Sequence, residues 1–135
     1  MTGVQTCALP IFKVILETGS YPDKASVRRA SDLAIEAGAD FIKTSTGKTA
    51  VSATPEAARI MLEAIKAHGL PVGLKPSGGI RTLADAKTYL DLADEIMGPA
   101  WVNPRTFRFG ASGLHQVLVD VIAGNASSES GDGAY

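Results

Sequence analysis

The sequence is short of most features that mark a specialised class of protein. Its 135 residues include one cysteine, one tryptophan and two histidines, and 13 lysines and arginines are balanced by 14 aspartates and glutamates, for a formal net charge of -1. One cysteine excludes a disulfide framework, and no His, Cys or carboxylate spacing suggests a metal site. Without a basic excess there is no electrostatic reason to expect nucleic acid or another polyanion as partner, while small anionic ligands stay open. No apolar run approaches the roughly 20 residues of a membrane span, and the N-terminus lacks the basic start of a signal peptide. A reducing, cytoplasmic setting fits this composition. What is present is a 45% share of hydrophobic residues against 20% charged ones. That suffices for one globular domain, which at this size buries roughly two thirds of its unfolded surface, and excludes disorder for most of the chain.

Residues 1–11, MTGVQTCALPI, show no period and hold the single cysteine, Cys7. The string resembles translated sequencing adapter and is set aside as a non-native extension, which implies that the natural chain begins further upstream. A domain is expected over 12–124, followed by a polar tail of small residues, 125–135, expected to be mobile.

From Phe12 on, short apolar runs alternate with amphipathic stretches, the pattern of βα units on a parallel sheet. Strands are expected at 12–18, 40–46, 71–75 and 106–112. A helix over about 24–37 is read from Ala30, Leu33, Ala34 and Ala37, stopped by Gly38. Thr54 followed by Pro55 and Glu56 starts a second helix, with Ala57, Ile60, Met61, Ala64 and Ile65 as its buried stripe and Gly69 as its end. Thr82 and Asp85 have capping-box spacing for a third, whose Leu83, Ala86, Leu90 and Ala93 face inward. Leu114, Val117, Leu118, Val121 and Ile122 mark the last. Four consecutive βα units make either a small open sheet or half of an eight-unit barrel. Length favours the C-terminal half of a TIM (β/α)8 barrel, since a whole one takes about 250 residues. Half a barrel leaves open strand edges and an uncovered inner face, which invite pairing with a second copy.

Chemistry is expected at the C-terminal ends of the strands, where βα-loops build the sites of such folds. Lys43 in FIKTS and Lys75 in VGLKP lie on adjacent expected strands, each on the same face as its strand's inward residues. With strands about 4.8 Å apart, two inward lysines at one height interact. An ordinary lysine, of pKa about 10.4, is almost wholly protonated at pH 7, and only the neutral amine attacks a carbonyl. Burial and a cationic neighbour both favour that neutral form. The bland alternative, a lysine ending its strand and snorkelling to solvent, suits either residue alone better than both together. Beside them lie Gly47-Lys48, then Gly78-Gly79-Ile80-Arg81, then Gly110-Ala111-Ser112-Gly113 leading into a helix. Glycine lets backbone N–H groups approach an anion, so the set reads as a phosphate cradle.

FIKTSTGK, GLKPSGGIRT and RFGAS resemble the class I deoxyribose-phosphate aldolases, over about Phe12 to Ile122, and the terminal Tyr135 resembles that family's C-terminal tyrosine. The resemblance implies a Schiff base at Lys43, with Lys75 as the second lysine that favours its neutral form. It also implies phosphate contacts from Gly47, Lys48, Gly78, Gly79, Arg81, Gly110 and Ser112, while Gly113 stands where many members carry another serine. The reaction implied is reversible cleavage of 2-deoxyribose 5-phosphate to glyceraldehyde 3-phosphate and acetaldehyde, with no metal or organic cofactor. The partner implied is a small phosphorylated sugar, with homo-oligomers open. The family's proton-relay aspartate comes from an earlier strand and has no counterpart here. Two other readings stand beside this one: an inactive half barrel that associates with itself, and a different Schiff-base lyase using the same phosphate site.

Other polar residues are read as structural. His68, before Gly69, is expected to cap a helix end, and His115 to be exposed. Asp91, Asp94 and Glu95 follow helical spacing as a solvated face, and Trp101 and Phe107 are expected in core or interface.

Overall fold

The computed structural model describes residues 10–124. Cys7, Tyr135 and the tail 125–135 lie outside them. Three short parallel strands, β1 (Lys13–Ile15), β2 (Phe41–Lys43) and β3 (Gly73–Lys75), form a sheet in that order. Four α-helices follow the expected sequence: α1 (Lys24–Glu36), α2 (Pro55–His68), α3 (Leu83–Met97) and α4 (Leu114–Ile122).

The fourth expected strand, 106–112, is not a strand. It runs parallel beside β3 through two isolated bridges, Leu74 with Phe107 and Ser77 with Gly110. The reason lies in one residue. Leu74 N–H donates to the Thr106 carbonyl and Arg108 N–H to that of Leu74; two residues on, Gly110 N–H donates to the Pro76 carbonyl and Gly78 N–H to that of Gly110. The donor between these pairs would be the N–H of Pro76, which proline lacks, so the ladder breaks there.

Register sorts the sheet into two faces. Val14, Ile42 and Leu74 align on one, and the rows Lys13, Phe41, Gly73 and Ile15, Lys43, Lys75 on the other. The first face is dry: Ile42 and Leu74 are fully buried in a core with Ile35, Met61, Leu62 and Ile65 from the helices. The second face is partly open, with Ile15 44% exposed beside the lysine row. Phe41 is nonetheless buried. Its ring occupies the space a side chain at Gly73 would fill, a Cβ there lying 2.5 Å from the ring, and the Arg108 guanidinium stacks on it 4.8 Å from the centroid.

The helix starts are as the sequence implies. Thr54 accepts a hydrogen bond from Ala57 N–H with Pro55 at the first position of α2, and Gly69 closes the helix in the left-handed region at φ 65°. At α3 the full capping box is present: the Thr82 hydroxyl accepts from Asp85 N–H, and the Asp85 carboxylate accepts from Thr82 N–H. The Arg81 N–H donates to the same carboxylate and is the largest cause holding the Asp85 carboxyl below the usual aspartate range. Replacing Thr82 with alanine is expected to cost about 1 kcal/mol of stability, read as a lower thermal midpoint.

The buried faces are rotated from expectation in α1 and thinned in α4. Val27, Ser31, Ala34 and Ile35 are buried in α1, whereas Leu33 is 51% exposed and Ala37 is exposed. Serine serves as a core residue because its hydroxyl donates to the Val27 carbonyl one turn back, at 2.8 Å, and brings no unpaired polar atom inside. In α4 only Leu114 and Val117 are buried; Leu118, Val121 and Ile122 are exposed, Ile122 by 85%. In α2 and α3, Ile60, Leu83 and Leu90 are half-buried while Leu62, Tyr89, Leu92 and Ile96 join the core. Desolvation pushes the Tyr89 hydroxyl up to about 12. His68 is a basic residue in the last turn of α2, and its Nε2 also lies 3.0 Å from Asp32 Oδ1 on α1, where Arg28 binds too, so the imidazole ties two helices together. His115 is exposed, Phe107 buried and Trp101 half-buried.

Candidate active site

At the C-terminal end of the sheet, Lys43 and Lys75 are direct register partners on neighbouring parallel strands. They project from the same face at one height, and Lys43 is 91% removed from solvent while Lys75 is half-buried.

Behind this pair lies a buried hydroxyl network. Thr44, Ser45 and Ser77 are each fully buried. Ser77 N–H donates to Thr44 Oγ1 at 3.0 Å, and the Ser77 carbonyl accepts from Ser45 Oγ, Thr44 Oγ1 and Ala53 N–H. The loops after β2 and β3 are thereby locked to each other. Gly110 completes the lock, since its Cα abuts Ser77 so closely that a Cβ would sit 2.0 Å from Ser77 Oγ.

The structure brings three of the glycine segments together. Gly47 and Gly78 are neighbours, a Cβ on Gly78 lying 3.8 Å from Gly47 Cα, and Gly78 N–H donates to the Gly110 carbonyl. Gly47, Gly78 and Gly79 all have positive φ (81°, 92° and 77°), which glycine alone adopts without strain. Lys48, Arg81 and Ser112 are exposed on the same loops. Gly113 forms the N-cap of α4 and supplies no side-chain cap, so the first turn of that helix carries no side-chain acceptor from its cap. Tyr135 lies outside the described residues, which also contain no cluster of three or more His, Cys, Asp or Glu side chains.

One residue of this region was absent from the sequence reading. Glu17, just past β1, takes a left-handed backbone and accepts hydrogen bonds from Thr46 N–H, from the Thr46 hydroxyl at 2.6 Å and from the Thr49 hydroxyl at 3.2 Å. The Thr46 hydroxyl is the main cause that holds the Glu17 carboxyl below the usual glutamate range, aided by Thr46 N–H, Thr49 and the positive charge of Lys43, and opposed by partial burial. A carboxylate at the C-terminal end of a strand was the available signal.

Compared with known proteins, residues 5–114 match the model of the family described as DeoC/LacD family aldolase. The chain belongs to that family. It is 56% identical over 130 residues to a deoxyribose-phosphate aldolase of Agrobacterium fabrum, covering 96% of this chain and 50% of that protein. The chain thus spans about half the length of this relative. Among solved structures it is similar to a candidate deoxyribose-phosphate aldolase from Toxoplasma gondii, with a TM-score of 0.77, 26% identity, and coverage of 89% of this chain and 49% of that one. It is also similar to a tetrameric deoxyribose phosphate aldolase from Aeropyrum pernix, with a TM-score of 0.61, 28% identity, and coverage of 84% and 42%. The three strands and four helices of this DeoC/LacD aldolase chain therefore correspond to about half of a TIM barrel. Among the described residues no helix is long and apolar enough to cross a membrane.

Proposed function

We propose that this chain carries the Schiff-base half of a cytoplasmic aldolase that cleaves 2-deoxyribose 5-phosphate reversibly. The observation that carries the reading is the register pairing of Lys43, nearly buried, with Lys75 at the C-terminal end of the sheet. The Lys43 amine adds to the sugar's C1 aldehyde, and loss of water leaves an iminium. Removal of the proton on the C3 hydroxyl then lets the C2–C3 bond break. Glyceraldehyde 3-phosphate departs, and the bonding pair is held as an enamine on Lys43. Protonation of that enamine at carbon and addition of water release acetaldehyde and restore the amine. The proton carrier is assigned to no residue here, since the family's aspartate belongs to an earlier strand. Gly47, Lys48, Gly78, Gly79, Arg81, Gly110 and Ser112 bind the phosphate, aided by the N-terminal end of α4. No metal or organic cofactor enters this chemistry.

A second reading is supported by the open inner face. Ile15 and Phe12 are 44% and 53% exposed at β1, which pairs only with β2 among the described residues, as suits a half barrel that does not turn over and covers itself with another copy.

One experiment separates the two. The 135-residue chain is treated with borohydride and 2-deoxyribose 5-phosphate and mapped by mass spectrometry. We expect an adduct on Lys43 that the Lys43→Leu chain lacks. A folded chain with no adduct, and with twice the monomer mass by light scattering, would overturn the aldolase reading for this polypeptide and favour the second.

A further inference from the structure

The end of β1 holds a feature that the reaction above does not use. Glu17 is the one non-glycine residue with positive φ among the described residues, at φ 59° and ψ 57°. Glycine adopts that backbone freely, whereas a side chain is strained in it. Strain of this kind persists where surrounding contacts demand it. Here the contacts are those of the carboxylate, which reaches across to the loop after β2 and accepts from Thr46 N–H, the Thr46 hydroxyl and the Thr49 hydroxyl. The Thr46 hydroxyl in turn accepts from Lys48 N–H at 3.2 Å, so a chain of bonds runs from Glu17 to the backbone of Lys48. A fixed negative charge beside a loop read as an anion cradle is adverse unless it shapes that loop. Lys43, the charged group that acts on Glu17, offsets part of this charge.

We propose that Glu17 is a positioning residue whose carboxylate latches the loop 46–49, holding Gly47 and Lys48 in the one arrangement that receives the substrate's phosphate. The proposal rests on the phosphate reading of that loop.

The test uses the 15N-labelled chain with Glu17→Gly and Glu17→Gln. Glycine suits the left-handed backbone, so Glu17→Gly keeps the turn and deletes only the latch; both variants are first checked for a wild-type unfolding midpoint. Amide hydrogen exchange is read at Lys48, one bond removed from the mutated side chain, and binding of inorganic phosphate is read from the Gly47 and Lys48 amide shifts. Expected are at least tenfold faster exchange at Lys48 and at least fivefold weaker phosphate binding in Glu17→Gly. Glu17→Gln, which keeps an acceptor of nearly the same shape, should recover most of both. Wild-type protection of Lys48 in Glu17→Gly would overturn the proposal, because a purely backbone role at position 17 predicts that outcome. Absence of any phosphate shift in the wild-type chain would count instead against the phosphate reading, and the latch is then decided by exchange at Lys48.

Discussion

Leu74→Ala is expected to destabilise the chain by about 4 kcal/mol, near the upper part of the range for buried leucine truncations. Leu74 is fully buried at the centre of β3, on the face that Ile42 shares and that α2 covers. Its neighbours cannot collapse into the space. Its own N–H and carbonyl are bonded to the 106–108 segment, and the Phe107 beside it is itself buried. Truncation therefore leaves most of a side-chain volume empty and forfeits the transfer energy as well. Single domains hold only about 5–15 kcal/mol in all, so a loss of this size leaves little margin. Urea titration would show a lower midpoint with an unchanged slope. Ile122→Ala, at a residue 85% exposed, serves as control and should move stability by less than about 0.5 kcal/mol. A Leu74→Ala effect as small as the control's would mean that β3 does not pack as described.

Gly110→Ala should cost about 3 kcal/mol and disorganise the site with it. The added Cβ would lie 2.0 Å from Ser77 Oγ, 2.6 Å from its Cβ and 3.2 Å from its Cα. Turning the serine hydroxyl aside relieves only the first of these contacts. Moving the Ser77 backbone breaks its bonds with Thr44, Ser45 and Ala53, all made inside the protein. Overpacking at such a point falls at the upper end of the 1–3 kcal/mol usual for it. Because Gly78 N–H is bonded to the Gly110 carbonyl, the glycine loops separate when residue 110 moves. Thermal denaturation and phosphate titration on one sample check both parts. Reduced stability with undiminished phosphate binding would detach Gly110 from the site.

Much of this was legible because it is local. The Thr54-Pro55 start, the Thr82-Asp85 box and the Gly69 stop each act within one turn of their own helix, so their residue types suffice. The rotation of α1 was not legible. Leu33 is a better hydrophobe than Ser31, yet Ser31 is inside, because a hydroxyl bonded to its own helix packs closely between neighbours. The missing fourth strand turned on Pro76, which lies on the partner segment and interrupts a ladder that the 106–112 sequence alone would support. His68 likewise took its partner from another helix.

The candidate site divides along the same line. That Lys43 and Lys75 each lie on an inward strand face follows from alternation within each strand, a property of period two that needs no partner. That they stand level depends on the register between β2 and β3, and register is a relation between segments. So does the pairing of Glu17 with Thr46 and Thr49, about thirty residues away. The sequence by itself determined the order of βα units, the helix ends and the residue types that could carry carbonyl chemistry. The tertiary structure alone decided which of those residues meet, because hydrogen bonds and packing between distant segments set height, burial and neighbours that no local pattern encodes.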